Sequence, residues 1–481
     1  MPNKEPLVEA LEKYRKAQVY PLHTPGHKGG RGAAASLHAL LGEKALASDV
    51  SLMAELDDLH EPATCIKEAQ ALAASLYGAK RSFFAVNGTT GAIHAMLLGA
   101  LEPGDKIILP RNAHGSVYGG LVLAGLKPVY LLPAYDERWG LSLQVTSQQV
   151  SSALEADPAI KAVLITSPNY YGLAADVKKI ATIVHAHGAV LLVDEAHGPH
   201  LGFSSLLPPS ALGCGADAVA QSTHKLVGAL TQCSMLHIQG HTINEGKMAA
   251  AMSLVTTTSP NYLLMASLDA ARAQLAGKGK AMAQAALQAA ALLSKKLRTV
   301  PGLRVLDEAI IGQGGVVALD KTKVTVNVAG LGLNGVEAGN LLRVAGIAVE
   351  LVDEANVLFL VTYADANEKF AQLTEKIAAT LLQGRKSQPR ALMVPCVAQL
   401  PKVRLLPREA FFAPSETVSF AESAGRISAE KICFYPPGIP VLVPGEEITQ
   451  TLQQYCTAML GLGMHLTGPR DSTLQKIQVI K

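Results

Sequence analysis

A lysine that directly follows an apolar strand has clear chemical potential in this chain. Lys225 ends the string Ser222-Thr223-His224-Lys225, which comes after the run DAVAQ. A lone lysine is normally a solvated surface charge. Beside His224 and Leu226, however, partial desolvation and a hydrogen-bonding neighbour would favour the neutral, nucleophilic amine. The position therefore predicts an amine that attacks a carbonyl group.

Asp194 ends a second apolar strand and opens the string Asp194-Glu195-Ala196-His197. It precedes Lys225 by 225 − 194 = 31 residues, which leaves room for one helix and one strand. The two groups can therefore converge from neighbouring strand ends. A carboxylate placed there can pair with a protonated ring nitrogen, as pyridoxal phosphate (PLP) requires. We expect Glu195 to make structural contacts instead. Nucleic-acid helicases also carry a D-E-A-H string, but the chain lacks their P-loop.

A turn of small residues, Asn87-Gly88-Thr89-Thr90-Gly91, follows another strand and opens a helix. Its backbone N–H groups lie at the positive end of a helix dipole, and its threonines add hydroxyl donors. This arrangement would hold a phosphate. The alternative is an ordinary capped turn between a strand and a helix.

A fourth strand end carries His114, within the string at residues 111–116. Its imidazole could stack on a planar cofactor. A histidine that caps a helix or packs in the core explains the position equally well.

Short apolar runs alternate with Ala- and Leu-rich helical stretches from about residue 82 onward. Because the runs lack clean polar alternation, we expect buried strands of a mostly parallel central sheet with helices on both faces, in an α/β fold. The ligand site should then lie at the carboxyl ends of the strands. The strand candidates are SFFAVNG (82–88), DKIILP (105–110), LKPVYLL (126–132), KAVLITS (161–167), AVLLVDE (189–195), DAVAQST (217–223) and SMLHIQ (234–239).

The sequence pattern changes after about residue 270, where a long Ala-rich helix precedes strand-like pieces typical of smaller α+β domains. The stretch GRKSQPR at 384–390 has the composition of a linker. The predicted divisions are an N-terminal segment (1–45), a PLP-binding large domain (46–270), a small α+β domain (271–383) and a C-terminal domain (391–481).

Composition excludes several classes of protein. With 481 residues and a formal charge of +3, the chain is nearly neutral, which gives no reason to expect nucleic acid or an anionic membrane as a partner. We see no apolar span long enough for a membrane, no signal peptide and no zinc-like cysteine cluster, so we predict no metal. The scattered cysteines favour free thiols and a cytoplasmic location.

Taken together, these motifs resemble the Orn/Lys/Arg decarboxylases, which are fold-type-I PLP-dependent enzymes with the aspartate aminotransferase fold. Each string is weak alone, but their joint occurrence in this order is specific. The strings are HTPGHKGG (23–30), LDDLHEP (56–62), VNGTTG (86–91), TSPNYYG (166–172), VDEAHGPH (193–200), STHK (222–225), TSPNYLLMASLDAAR (258–272), AESAGRI and YPPGIPVLVPGEEI. The poorest match is residues 275–410.

The resemblance implies a role for each matching residue. Lys225 would attach PLP through its amine, and Asp194 would pair with the pyridine nitrogen. The other implied cofactor contacts are Ala196 beneath the ring, His197 near the phenolic oxygen, His114 stacked on the opposite face, and Gly88, Thr89, Thr90, Ser222 and His224 around the phosphate. Ser259 would complete the phosphate site of a partner subunit, and Glu422 would face the distal cation of the substrate.

The resemblance also implies the reaction, which is decarboxylation of a basic amino acid. Lys225 or His224 would protonate the α-carbon. Arginine, giving agmatine for polyamine biosynthesis, is the first candidate substrate, and lysine or ornithine are the alternatives. An aminotransferase, an aldolase or a catalytically silent PLP-binding regulator remain rival functions. The chain starts almost directly at HTPGHKGG, without the wing domain of long family members, so we expect a homodimer or a dimer of dimers rather than a decamer.

Overall fold

The computed structural model describes residues 3–53, 55–391, 399–435 and 438–481. Its helices are α1 (Pro6–Lys16), α2 (Ala35–Ser48), α3 (Cys65–Tyr77), α4 (Gly88–Ala100), α5 (Gly115–Ala124), α6 (Ser147–Ala156), α7 (Val177–Ala186), α8 (Thr223–Leu226), α9 (Glu245–Leu254), α10 (Tyr262–Leu297), α11 (Gly335–Val344), α12 (Phe370–Gln383), α13 (Pro407–Phe412) and α14 (Gln450–Gly461).

The strands are mostly short. They are β1 (Arg81–Ala85), β2 (Lys106–Pro110), β3 (Lys127–Leu131), β4 (Tyr135–Asp136), β5 (Leu141–Ser142), β6 (Ile160–Thr166), β7 (Leu173–Ala175), β8 (Val190–Asp194), β9 (Ala218–Gln221), β10 (Ser234–Ile238), β11 (Arg304–Val305), β12 (Val316–Leu319), β13 (Lys323–Asn327), β14 (Leu351–Val352), β15 (Asn356–Leu360), β16 (Ser415–Ser419), β17 (Ile432–Phe434), β18 (Ile439–Leu442), β19 (Leu466–Thr467) and β20 (Lys476–Ile480).

The chain forms two compact units. The first contains Met1–Ala100, Leu192–Phe203 and Pro209–Ala281, and the second contains Leu101–Leu191, Ser204–Pro208 and Met282–Lys481. The four-part division predicted from the sequence stays a prediction.

Each unit contains paired strands of the α/β fold. In the first unit β8 pairs in parallel with β9, whereas β10 is antiparallel to both β9 and β1. In the second unit β2 pairs in parallel with β3 and with β6. Every residue of β8 and β9 is buried, which explains why these strands are continuous apolar runs. The predicted α/β fold with a mostly parallel central sheet is confirmed.

Smaller antiparallel sheets follow in the second unit. One has the order β11-β13-β15-β14, and its strands share a core with α11 and α12. Further along the chain, β16 pairs with β20, and β17 lies between β18 and β19. These are the smaller α+β parts that the sequence predicted. The long helix α10 begins at Tyr262, earlier than the change of pattern near residue 270 suggested.

Packing in the first unit fixes the helix that starts at the predicted phosphate turn. Helix α4 lies directly against α9, and a side chain at Gly99 would come within 3.0 Å of the backbone of Met248. Only glycine allows this approach without moving α9. The start of α4 is therefore held in place from its far end.

The structure also describes the hydropathy of the helices and the state of the cysteines. Within the described residues, no helix is long and apolar enough to cross a membrane. The described cysteines, Cys65, Cys214, Cys233, Cys433 and Cys456, are free thiols. Cys396 lies outside the described residues, as do Pro436 and Pro437 of the YPPGIP string.

Candidate active site

Lys225 lies one turn beyond the end of β9, on the short helix α8. Its backbone N–H donates to the carbonyl of Ser222 over 3.2 Å, which turns the chain sharply after the strand. Its Nζ lies 2.9 Å from Nε2 of His197, which follows β8. Because β8 and β9 are parallel neighbours, the ends of the two strands bring these side chains together. The spacing predicted such a convergence for Lys225 and Asp194, and it did not predict the contact with His197.

Asp194 ends β8 and is only 3% exposed. Its Oδ1 accepts a hydrogen bond from the N–H of Ala196 over 3.1 Å. Burial raises the pKa of Asp194, while this N–H and the charge of Lys225 partly offset the rise. A buried carboxylate with so little local compensation is suited to a cationic partner, because a cation would restore the charge balance that desolvation removes.

Three buried hydroxyl groups meet at the start of α4. Thr89 Oγ1 makes a very short contact with Ser222 Oγ and lies 2.9 Å from Ser234 Oγ. Gly88 opens the helix with a φ of 65°, and its N–H donates to the carbonyl of Gln232. Together with the first N–H groups of a 13-residue helix, these hydroxyls form a donor-rich group suited to an anion. Thr90 is exposed at the same turn.

Ser234 was not predicted from the sequence. It begins β10, whereas the sequence pattern predicts ligand-binding residues at the carboxyl ends of parallel strands. Since β10 is antiparallel to β9, its first residue lies beside the end of β9. A serine at the start of SMLHIQ is a possible ligand-binding residue only if this strand is antiparallel to its neighbour, and the sequence does not show the direction of the strand.

Two neighbours of Lys225 complete this part of the first unit. His224 Nδ1 lies 2.8 Å from the carbonyl oxygen of Cys233, which fixes the imidazole. Thr223 is 1% exposed, and its Oγ1 has no hydrogen-bond partner among the residues that the structure describes. A buried hydroxyl of this kind is costly unless a ligand or water completes its bonding.

The donor set fits PLP. The cofactor offers an aldehyde carbon, a pyridine nitrogen and a phosphate, and the first unit supplies a counterpart for each. These are the amine of Lys225, the buried carboxylate of Asp194 and the hydroxyl cluster at the start of α4. The hydroxyl of Thr223, which lies on the short helix α8 together with Lys225, is a further donor.

The contacts of three other predicted residues do not test their predicted roles. His114, in the second unit, caps α5, since its Nδ1 accepts from the N–H of Ser116 over 3.2 Å. This is the capping alternative that the sequence left open, and stacking on the cofactor stays a prediction. Ser259 and Glu422 are exposed in the single chain, and Glu422 ends a short 3-10 turn at Phe420–Glu422. Their roles also stay predictions.

Comparison with known proteins agrees with the motifs. Residues 5–369 match the model of the Orn/Lys/Arg decarboxylase major domain, and residues 390–471 match that of the C-terminal domain. The chain belongs to the Orn/Lys/Arg decarboxylase family. The arginine decarboxylase of Bacillus anthracis is 39% identical over 479 residues, which are 99% of this chain and 97% of that protein.

Solved structures share the fold of this Orn/Lys/Arg decarboxylase family member. The constitutive lysine decarboxylase of Escherichia coli superposes with a TM-score of 0.83 at 22% identity, over 100% of this chain and 82% of that one. A structure of SPT with a PLP internal aldimine gives a TM-score of 0.51 at 17% identity, over 66% and 76% of the two chains. The predicted family and fold are therefore confirmed.

Proposed function

We propose that this chain is a PLP-dependent decarboxylase that converts L-arginine to agmatine and CO₂, a step of polyamine biosynthesis. The observation that carries the proposal is the placement of the Lys225 amine beside His197, with buried Asp194 and the Thr89 hydroxyl cluster in the same unit. Arginine is preferred to lysine because arginine decarboxylases share 39% identity with the chain, whereas a constitutive lysine decarboxylase shares 25%.

In the proposed mechanism, each of the chain's own groups has a separate role. When bound, PLP withdraws electrons from the α-carbon of the substrate and stabilises the charge left by departing CO₂. Lys225 attaches the cofactor, and Asp194 keeps its ring nitrogen protonated. Hydroxyl groups and the dipole of α4 hold the phosphate. Lys225, once its amine is free of the cofactor, or His224 would donate the proton that replaces the carboxylate, and His197 would position the free amine of Lys225.

The substrate and the assembly belong to the same proposal. Glu422 is proposed to bind the distal cation of arginine, since a buried positive group requires an acidic partner. A homodimer with shared sites is supported by apolar side chains in the N-terminal segment, where Tyr20 is 70% and Leu22 is 86% exposed. Free thiols at the described cysteines support a cytoplasmic location.

The test combines a product assay with mapping of the attachment site. Purified chain incubated with PLP should release CO₂ from arginine faster than from lysine or ornithine. Borohydride reduction followed by peptide mapping should place the cofactor on Lys225. Lys225→Ala should abolish both the visible absorption band and turnover, whereas the control Lys80→Ala, at a surface ion pair with Glu245, should retain both.

Two results would contradict the proposal. Recovery of the reduced cofactor on Lys28 or Lys67 would overturn the site, and release of a keto acid without CO₂ would show an aminotransferase instead.

A further inference from the structure

A row of buried polar side chains crosses three strands of the first unit and ends at the residue that follows a fourth strand. Ser82 Oγ lies 2.7 Å from Nδ1 of His237, and Nε2 of His237 lies 3.1 Å from Oε1 of Gln221. The amide of Gln221 donates to Oε2 of Glu195 over 2.6 Å. Each of these residues is at most 1% exposed. The row therefore joins β1, β10 and β9 to the residue that follows β8 by side chains alone.

The register of the strands puts this row on the face opposite the candidate site. Asp194 pairs with Ala220, and Ser222 is two residues further along, so the side chains of Asp194 and Ser222 share a face. Glu195 and Gln221 are their immediate neighbours and therefore lie on the other face. Each site residue is thus backed by a residue of the buried row.

Glu195 is the fixed end of this row. Its Oε1 accepts from the N–H of Ala211 over 2.7 Å, in addition to the bond from Gln221. The backbone also closes tightly over it, because a Cβ at Gly198 would lie 2.4 Å from Glu195 Cγ. Within the row, the ring centroid of His237 lies 4.7 Å from that of Tyr77. These contacts leave the row little freedom to move.

The hydrogen bonds of the row have one consistent direction. Burial lowers the pKa of His237 to about 3, so the ring is neutral and carries a single N–H. That N–H is donated to Oε1 of Gln221, and the other ring nitrogen accepts from the hydroxyl of Ser82. When Glu195 is ionised, every donor therefore points toward its carboxylate, and when it is protonated its O–H becomes a donor instead. Because the hydroxyl, the imidazole and the amide can each exchange donor and acceptor roles, the whole row can also run in reverse.

We propose that Ser82, His237, Gln221 and Glu195 form a positioning network that holds Asp194 and Ser222 in place for the cofactor. The proposal rests on the proposed function, because these two residues would bind the ring nitrogen and the phosphate of PLP. A shift of the chain at Glu195 or Gln221 moves its neighbour on the other face by the same amount. The four residues touch neither cofactor nor substrate and act only through Asp194 and Ser222.

Binding of PLP to the apo protein tests the network. Gln221→Leu breaks the row at its centre and should raise the dissociation constant of PLP at least about tenfold, which corresponds to about 1.4 kcal/mol. We expect kcat to fall while KM for arginine changes little, since the network lies behind two residues proposed to bind the cofactor and not behind the distal end of the substrate. Should Gln221→Leu not fold, Ser82→Ala removes one terminal bond and should weaken PLP binding by about two- to fivefold.

A conservative substitution separates positioning from simple filling of space. Glu195→Gln can accept from Ala211 and donate to a reversed Gln221 amide, so it should bind PLP within about twofold of the wild type. Glu195→Ala cannot, and should resemble Gln221→Leu. The matched control is Gln144→Leu, which makes the same substitution at another buried glutamine. Gln144 lies outside the row, and its side-chain amide donates to the backbone carbonyl of Leu173. It should lower the thermal stability of the apo protein without changing its affinity for PLP.

The outcomes distinguish this proposal from the proposed function. If the wild-type chain does not bind PLP, the proposed function fails, and the network falls with it. If the wild type binds PLP at Lys225 but Gln221→Leu and Ser82→Ala bind it equally well, only the network is overturned. Loss of PLP affinity in Glu195→Gln equal to that in Glu195→Ala would also overturn the network.

Discussion

Asp194 and Glu195 follow each other in the chain, yet they accept very different hydrogen bonds. Asp194 receives one backbone N–H, whereas Glu195 receives a backbone N–H and the amide of Gln221. Both carboxyl groups are buried, and burial raises the pKa of both. We infer that Glu195 is satisfied within the protein, while Asp194 keeps the capacity to pair with a cation. At this scale, the number of donors that each carboxyl group receives separates the acid that is bonded within the protein from the acid proposed to pair with the cofactor.

Asp194→Asn tests that assignment. The substitution preserves shape but removes the negative charge, so we expect folding and PLP binding to persist. Turnover should fall by about two to three orders of magnitude, since electrostatic contributions of this kind are typically worth ~3–4 kcal/mol. Single-turnover CO₂ release from arginine, compared with the wild type at equal PLP occupancy, measures the loss. Near-normal turnover would show that another residue supports the ring nitrogen.

The titration of Glu195 should be visible in the stability of the apo protein. Burial raises its folded-state pKa to about 8, above the ordinary value of 4.5. Between these values the folded chain keeps a proton that the unfolded chain has lost, so the stability contributed by this group falls as pH rises through that window. Each such proton accounts for up to about 1.4 kcal/mol per pH unit.

Glu195→Gln removes this proton and should flatten the fall in thermal stability between pH 5 and pH 8. The flattening should be partial, because the raised pKa of Asp194 acts in the same direction. Thermal unfolding of the apo protein at unit pH intervals provides the measurement. A variant that loses stability as steeply as the wild type would show that Glu195 is already ionised across the range.

At the scale of elements, the apolar runs predicted β8 and β9 well because both strands are buried on both faces. The same pattern carries no information on strand direction, so it predicted β10 as a strand but not its antiparallel direction, and the position of Ser234 beside the end of β9 was missed. Spacing predicted that Lys225 and Asp194 meet near one sheet edge. It did not predict that His197 would supply the contact with the Lys225 amine, because side-chain contacts across strand ends depend on local turns.

A buried ion pair joins two distant elements of the second unit. Arg111, directly after β2, donates through Nε and Nη2 to both carboxylate oxygens of Glu446, over 3.1 and 2.8 Å, and both side chains are 1% exposed. The Nη1 group also donates to the carbonyl of Pro440 in β18 over 2.6 Å. These bonds anchor the C-terminal segment to Arg111, which lies three residues before His114 in the sequence.

Glu446→Leu should be strongly destabilising, since it leaves the guanidinium of Arg111 buried without its acid. Loss of one partner of a buried pair typically costs ~3–5 kcal/mol, whereas replacing both partners by apolar residues restores much of the loss. Urea unfolding of Glu446→Leu and of the double variant Arg111→Met/Glu446→Leu measures this difference. As a control, Glu245→Ala at the surface pair with Lys80 should cost less than about 1 kcal/mol. A double variant less stable than Glu446→Leu would refute the account.

At the scale of the whole molecule, the single chain leaves features that a second copy would explain. Apolar side chains are exposed along the N-terminal segment, including Tyr20, Leu22 and Leu40. Several large apolar side chains exposed in one segment are consistent with a surface that binds a partner. Ser259, which the family resemblance assigns to a phosphate site, is itself exposed. A homodimer that exchanges Ser259 between subunits would account for both observations.

Complementation between two inactive chains tests this exchange. In a mixed dimer of Lys225→Ala and Ser259→Ala chains, a serine that acts in trans puts both lesions in one site and neither lesion in the other. Each mixed dimer then has one intact site, and random pairing of equal amounts of the two chains makes half of the dimers mixed. Closed two-fold symmetry gives each subunit the same interface, so the two sites of a dimer are equivalent. The mixture should therefore reach about one quarter of wild-type CO₂ release, well above either parent.

Size-exclusion chromatography with differently tagged chains confirms that mixed dimers form. If they form, both parents are impaired and activity does not recover, then each subunit builds its own site, and Ser259 acts within its own chain.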